Sequence, residues 1–164
     1  MILALAERHP ETSFHGFDVS EPVLAKNRVR ARDAKLDNVV FSQATLPNIV
    51  AGGFDLVTCL STLHYVERVE EAVRNLYMIV KEGGCLVFNY PNIYTHWMYR
   101  RDVKQDDEEM SRRFALVLNR RNMLTQRTIQ KITGVKPKKI HSAIRGNIYI
   151  ALHKPKSKRN EAFS

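Results

Sequence analysis

The sequence predicts an α/β fold whose sheet is mostly parallel and finishes in an antiparallel pair of strands. Three observations carry this. Strand-like and helix-like segments alternate from residue 12 to about residue 90; two of the strand-like segments, "FDLVTCLS" and "CLVFNYP", are near-continuous apolar runs of the kind buried on both faces; and two strand-like segments adjoin near the C-terminal end. With 164 residues and 44% hydrophobic content the chain suffices for one sizeable core. Residues 1–153 are therefore expected to form a single domain, and 154–164, "KPKSKRNEAFS", a basic tail.

Taken in order, "MILALAERH" sets Ile2, Leu3, Leu5 and Ala6 along the apolar side of a short helix that Pro10 closes. "SFHGFDV" is a strand. "SEPVLAKNRVRARDAK" follows as a helix with Ser20 at the N-cap, Glu21 near the positive end of the helix dipole and Pro22 in the first turn. "NVVFSQ" is the next strand, and after the Gly52-Gly53 turn comes the strand "FDLVTCLS". In "VERVEEAVRNLYMIVK" apolar residues recur at Val69, Ala72, Val73, Leu76 and Val80, which predicts a helix ended by Gly83-Gly84 ahead of the strand "CLVFNYP". Residues 93–124 turn polar and aromatic, with helical spacing at Phe114, Leu116, Val117 and Leu118, and read as a helical insertion. "TQRTIQKITG" predicts a short helix capped at Thr125 and stopped at Gly134. "KKIHSAI" and "NIYIALHK", joined through Arg145-Gly146, predict the closing hairpin.

Charge is divided unevenly. Residues 1–92 carry 9 Lys+Arg against 11 Asp+Glu, and residues 93–164 carry 17 against 6, so the net charge of +9 originates in the second half. A basic segment of this kind attracts an acidic small molecule, RNA or an anionic surface, or is a solvated face with a loose tail. No run reaches the ~18 apolar residues of a membrane span. "MILALAERHP" lacks the length and flanks of a secretory signal, and Cys59 and Cys85 stand singly with no metal-ligand spacing. These features predict a cytoplasmic location, reduced thiols, no membrane span and no metal site.

The chemistry starts at Asp18. A carboxylate at the C-terminal end of a strand that turns at once into a helix sits on the ligand-binding edge of an open α/β sheet, where it can accept both ribose hydroxyls of a nucleotide. On the local pattern alone it serves equally well to help Ser20 cap the following helix. The middle of the chain separates these roles. Phe54-Asp55-Leu56-Val57, then Leu63-His64-Tyr65-Val66, then Val80-Lys81-Glu82-Gly83-Gly84-Cys85-Leu86 resemble, in order and spacing, the strand-four and strand-five segments of the class I S-adenosylmethionine-dependent methyltransferases, in particular their small-molecule branch of the type 11 kind. Glu82 replaces that family's usual proline. "GFDVS" resembles its strand-two motif, and the terminal helix and hairpin fit its last strands.

The resemblance implies a Rossmann-like fold and S-adenosyl-L-methionine as cofactor. It implies Asp18 with Val19 at the cofactor ribose, Ala44, Thr45 and Leu46 at its adenine, and Cys59 and Ser61 at the end of strand four. Thr45 takes the place of the family's usual strand-three aspartate, so it is either an uncharged hydrogen-bond partner for adenine or a turn residue before Pro47. A larger departure is the Gly-rich loop that holds the methionine end of the cofactor, where only glycine lets backbone N–H groups approach closely. No Gly-x-Gly triplet occurs in the chain. The sequence therefore reads as lacking the first strand and that loop, about 20–40 residues if a βαβ unit takes about 30, as a truncated reading frame would. A non-catalytic module that has lost cofactor binding is the alternative.

Methyl transfer needs alignment and dryness more than side-chain chemistry, because the donor is already activated; a base is required only where the acceptor must lose a proton. His64 is the candidate base, or it packs beneath the cofactor. Tyr65, Tyr90, Tyr94 and Trp97 are candidate contacts for a small-molecule acceptor, acidic or aromatic, under the 93–124 insertion. Arg100-Arg101, Arg112-Arg113 and Arg120-Arg121 either clamp an anion or pair with the run Asp106 to Glu109. Nucleic acid is compatible with the charge but not favoured by the motifs, and nothing in the sequence specifies an oligomeric state.

Overall fold

In the computed structural model, which describes residues 1–102, 107–142 and 148–157, the first unit covers Met1–Val50 and the second begins at Ala51. Helix α1 (Ile2–Arg8) leads into strand β1 (Phe14–Asp18), and helix α2 (Glu21–Asp33) crosses over to strand β2 (Val39–Gln43). The two strands pair in parallel from Phe14 opposite Val39 to Asp18 opposite Gln43. Leu24, Ala31 and Phe41 form the core of this unit, with Ile2, Leu3, Leu36 and Val39 packed against it. Gly16 is needed there, since a Cβ would lie 2.8 Å from the Phe41 ring and 3.3 Å from Ile2. On α1 the buried positions are Ala6 and, in part, Ile2 and Leu3; Leu5, expected on the same side, is 40% exposed because residues 2, 3 and 6 already fill the contact stripe. Asn38 ties α1 to the sheet by donating to the carbonyls of Ala6, His9 and Thr12.

The second unit holds a four-stranded sheet in the order β3 (Phe54–Cys59), β4 (Val80–Asn89), β6 (Ile148–His153), β5 (Lys138–Ser142). β3 and β4 are parallel, while β6 is antiparallel to both β4 and β5. The predicted hairpin is thus present as paired strands; its Arg145-Gly146 link lies outside the described residues, as do residues 158–164 of the expected tail. Helix α3 (Val69–Met78) buries Val69, Ala72, Val73 and Leu76, as the spacing predicts.

Two expectations are corrected here. α3 stops at Met78, and Val80, Gly83 and Gly84 belong to β4 instead of ending the helix. The sheet draws them in: the Phe54 N–H donates to the Ile79 carbonyl, the Gly83 N–H to Lys154, and the Lys154 N–H to Gly84. A side chain at residue 84 would meet the Asp55 carbonyl and Val80 at 2.8 Å. Lys154, the first residue of the expected tail, also places its ammonium on the carbonyls of Tyr77, Met78 and Val80 and so closes the C-terminal end of α3.

Between β4 and β5 run α4 (Ile93–Asp102), α5 (Glu108–Arg113), α6 (Ala115–Leu118) and α7 (Gln126–Thr133). The starts of α4, α5 and α7 each have a polar device, whereas α6 begins at Phe114 with no side-chain cap. The Thr125 hydroxyl accepts the Thr128 N–H, and Gly134 ends α7 in the left-handed region at φ 72°. Asp107, from the acidic run, accepts the Met110 N–H. Asn92 accepts the N–H groups of Tyr94 and Thr95, while its own N–H reaches the Thr95 hydroxyl, a reciprocal cap on α4. Asn92→Ala is expected to destabilise the protein by about 1–2 kcal/mol, read as a lower urea midpoint at unchanged slope.

Candidate functional site

In the first unit, the predicted ribose and adenine positions converge because β1 and β2 are parallel and end together. Asp18 and Gln43 are register partners, the Ala44 N–H donates to the Asp18 carbonyl at 3.0 Å, and the Gln43 amide reaches the Val19 carbonyl at 3.0 Å. Asp18 is half-buried and Val19 exposed. The Asp18 carboxylate accepts the Ser20 N–H at 2.9 Å, whereas the Ser20 hydroxyl makes no cap hydrogen bond. Ser20 is the N-cap residue as predicted, without a side-chain cap bond of its own; Asp18 supports it, because the strand end aims the carboxylate at the Ser20 N–H. Both local roles considered for Asp18 are compatible: one oxygen serves the helix, and a carboxylate has about four acceptor positions. Thr45 is exposed, and its carbonyl turns the chain through the Asn48 N–H. Asp18, Val19 and Ala44 to Leu46 therefore lie along one strand-end edge that carries a single anionic group.

In the second unit, Cys59 ends β3 and is buried; burial pushes its thiol up to about 11, which makes it an inert neutral group. Ser61 follows with φ 58°, and its N–H is held at 2.6 Å by the side chain of Asn89, which is wholly buried at the end of β4. A hydrogen bond donated to a buried amide oxygen thus sets the left-handed turn after β3. The turn Leu63–Tyr65 comes next as a short 3₁₀ helix. Buried Asn122 binds it by donating to the carbonyls of Leu63, His64 and Val66. Asn89 and Asn122 escaped the sequence analysis; an asparagine closing an apolar strand was the one signal available for the first, and none existed for the second, whose partners lie about 60 positions away.

His64 is only 2% exposed, its ring centroid is 6.1 Å from that of Tyr99, and its Nε2 has no hydrogen-bond partner among the described residues. Burial lowers its pKa to about 4, so the imidazole is neutral near pH 7 and a weak base. It suits hydrogen bonding better than proton removal. Tyr65 is 45% exposed and meets the Phe114 ring at 5.9 Å.

The other expected acceptor contacts lie elsewhere. Tyr90 is core, 2% exposed, with its ring against Phe88 and its hydroxyl raised by burial and lowered by a hydrogen bond with Gln126. Tyr94 and Trp97 are exposed on α4, and Trp97 stacks beneath Arg120 and against the edge of His96. Among the described residues no ring contact joins Tyr94 or Trp97 to Tyr65. His96 itself is buried, accepts from Arg120 at Nε2 and meets the Val117 carbonyl through Nδ1, which fixes the Nδ1–H tautomer. The predicted site residues are thus split between the two units, five in the first and six in the second, together with the base candidate.

A family model described as a methyltransferase domain matches residues 1–86. The chain belongs to the class I S-adenosylmethionine-dependent methyltransferase family. The ubiquinone/menaquinone biosynthesis C-methyltransferase of Methylobacterium nodulans is 31% identical over 96 residues, which is 55% of this chain and 38% of that protein. The ubiquinone biosynthesis O-methyltransferase of Acinetobacter baumannii strain AYE is 29% identical over 80 residues, 47% of this chain and 34% of that protein. The chain thus spans little more than a third of the curated relatives it matches.

Among solved methyltransferase structures, magnesium protoporphyrin IX methyltransferase from Synechocystis PCC 6803 with bound SAH aligns with a TM-score of 0.64 at 15% identity, over 92% of this chain and 66% of that one. An S-adenosylmethionine-dependent methyltransferase from Clostridium acetobutylicum aligns with a TM-score of 0.63 at 12% identity, over 88% and 76%. The Rossmann-like α/β fold expected of a methyltransferase is the fold observed. Among the described residues no helix is long and apolar enough to cross a membrane, and no three metal-ligating side chains cluster.

Proposed function

We propose that this methyltransferase-family chain contributes the nucleoside-binding edge and the acceptor side of a reaction that transfers a methyl group from S-adenosylmethionine to an acidic or aromatic small molecule. The observation that supports it most is the half-buried Asp18 carboxylate on the parallel-strand edge, with the backbone of Ala44 to Leu46 beside it. The cofactor, when bound, supplies a methyl group on an activated sulfonium. The residues hold and orient: Asp18 accepts the ribose hydroxyls, and the Ala44–Leu46 backbone offers hydrogen bonds to a purine edge. Cys59 and Ser61 line the end of β3, and Asn89 fixes the turn that carries Ser61. Tyr65 offers a half-exposed ring to the acceptor, and neutral His64 holds a polar atom without removing a proton. In this reading the helical residues 93–124 overhang the acceptor.

The chain has no Gly-x-Gly triplet to grip the methionine end, so binding rests on the nucleoside end and is weak. Titration with S-adenosylhomocysteine by calorimetry and backbone NMR is expected to show weak saturable binding, with shifts at Asp18, Val19 and 44–46. Asp18→Ala should weaken it roughly 10-fold or more, the worth of hydrogen bonds to a charged acceptor. Low-micromolar affinity, or affinity indifferent to Asp18→Ala, would remove the reading.

A further inference from the structure

The arginines of residues 93–124 differ in what they face. Arg101 pairs with Asp102, Arg112 with Glu108 and Arg121 with Glu67. Arg113 has no carboxylate partner among the described residues. Its guanidinium carbon instead lies 5.9 Å from the centre of the Tyr65 ring and 5.8 Å from that of Phe114. The Phe114 and Tyr99 rings are 4.3 Å apart, and Tyr99 leads to His64. The cluster therefore runs from an exposed guanidinium and a half-exposed phenol inward to a buried imidazole whose Nε2 is unpartnered. Tyr65 and Arg113 both act on the Tyr99 hydroxyl, the first raising and the second lowering its pKa against the larger upward push of burial, which sets these polar groups near one another.

A guanidinium resting on aromatic faces keeps its planar donor fork for an anion while one side is already shielded from water. The half-exposed Tyr65 ring beside it offers stacking surface, with buried Phe114 behind it, and the positive charge disfavours a cationic guest. A single fork of this kind suits one anionic group, whereas affinity for a polyanion grows with the number of neutralised charges.

We infer that Tyr65 and Arg113, backed by Phe114, Tyr99 and His64, form a receptor for an aromatic acid, with the anionic group on the Arg113 fork and the ring against Tyr65. The inference rests on the reading that the second unit receives the methyl acceptor, and it narrows that acceptor to an aromatic ring bearing a carboxylate or a comparably placed anion.

The test titrates 4-hydroxybenzoate into the full chain and follows the arginine Nε–Hε signals by NMR, with uncharged 4-hydroxybenzamide in parallel. A saturable shift at Arg113 is expected, with the acid bound about 10-fold or more tighter than the amide. Arg113→Gln should abolish that preference, Arg113→Lys should keep part of it, and Arg112→Gln should leave it unchanged. Equal affinity for acid and amide, a preference that survives Arg113→Gln, absence of a saturable shift, or an equal response to a short oligouridylate would each overturn the inference. The titration needs no cofactor. Failure of S-adenosylhomocysteine to bind would strike the proposed methyl transfer and leave this site standing; failure of 4-hydroxybenzoate would do the reverse.

Discussion

Lowering the pH from 7 to 4 is expected to cost the second unit about 3 kcal/mol of stability through His64 alone. The imidazole titrates near 6.5 when exposed and near 4 when buried in the fold, with burial as the cause. Above pH 6.5 both states are neutral and the group contributes no pH dependence. As pH falls from 6.5 towards 4 the unfolded chain takes up a proton that the folded one refuses, so stability falls by up to about 1.4 kcal/mol per pH unit. Below pH 4 both states bind the proton and the loss stops growing. Urea denaturation at successive pH values should show this slope in the native protein and lose it in His64→Gln. An unchanged slope would mean that His64 is not buried as described.

Replacing Asn122 by aspartate is expected to be more damaging still, by about 3–5 kcal/mol. The Asn122 amide donates to the carbonyls of Leu63, His64 and Val66, and the residue is 1% exposed. Aspartate removes the donor from all three carbonyls and turns a buried negative charge towards their oxygens, so desolvation and repulsion add. Asn122→Leu, which loses only the donor, should cost less, about 1–3 kcal/mol. Because these carbonyls fix the turn that carries His64 and Tyr65, the aspartate variant should also shift the Tyr65 ring signals against Phe114. Urea midpoints in the order native, leucine, aspartate are the expected result; an aspartate variant within about 0.5 kcal/mol of native would contradict the assigned role of Asn122.

Much of this architecture was legible because local and tertiary signals agree. The buried face of α3, the Thr125 and Gly134 caps of α7 and the antiparallel β5–β6 pair follow from periodicity, capping chemistry and strand runs that the sheet does not override. Gly83-Gly84 misled for the opposite reason. Two glycines after an amphipathic run are a helix stop by local rules, but Lys154, about 70 residues on, exchanges hydrogen bonds with both and holds them in β4. At the candidate site, Asp18 was legible from its place between a strand and a helix. The edge it forms with Ala44 to Leu46 depends on the parallel register, which the alternation of elements implies. The sharing of the aromatic residues was not legible: a run such as "NYPNIYTHWMYRR" does not say that Tyr90 faces the core, that Trp97 lies beneath Arg120, or that Tyr99 packs on Phe114. Those outcomes are set by which helix face meets Phe114 and Val117, a packing choice with no local signature.

On the proposed reading the Asp18 carboxylate binds the two ribose hydroxyls of a nucleoside on the β1–β2 edge. The most direct measurement compares adenosine with 2′,3′-dideoxyadenosine by backbone NMR, following Asp18, Val19 and residues 44–46. Adenosine should shift both groups of signals, while the dideoxy compound should lose the Asp18 and Val19 shifts and bind about 10-fold or more weakly. Equal shifts and equal affinity for the two compounds would rule out ribose binding by Asp18.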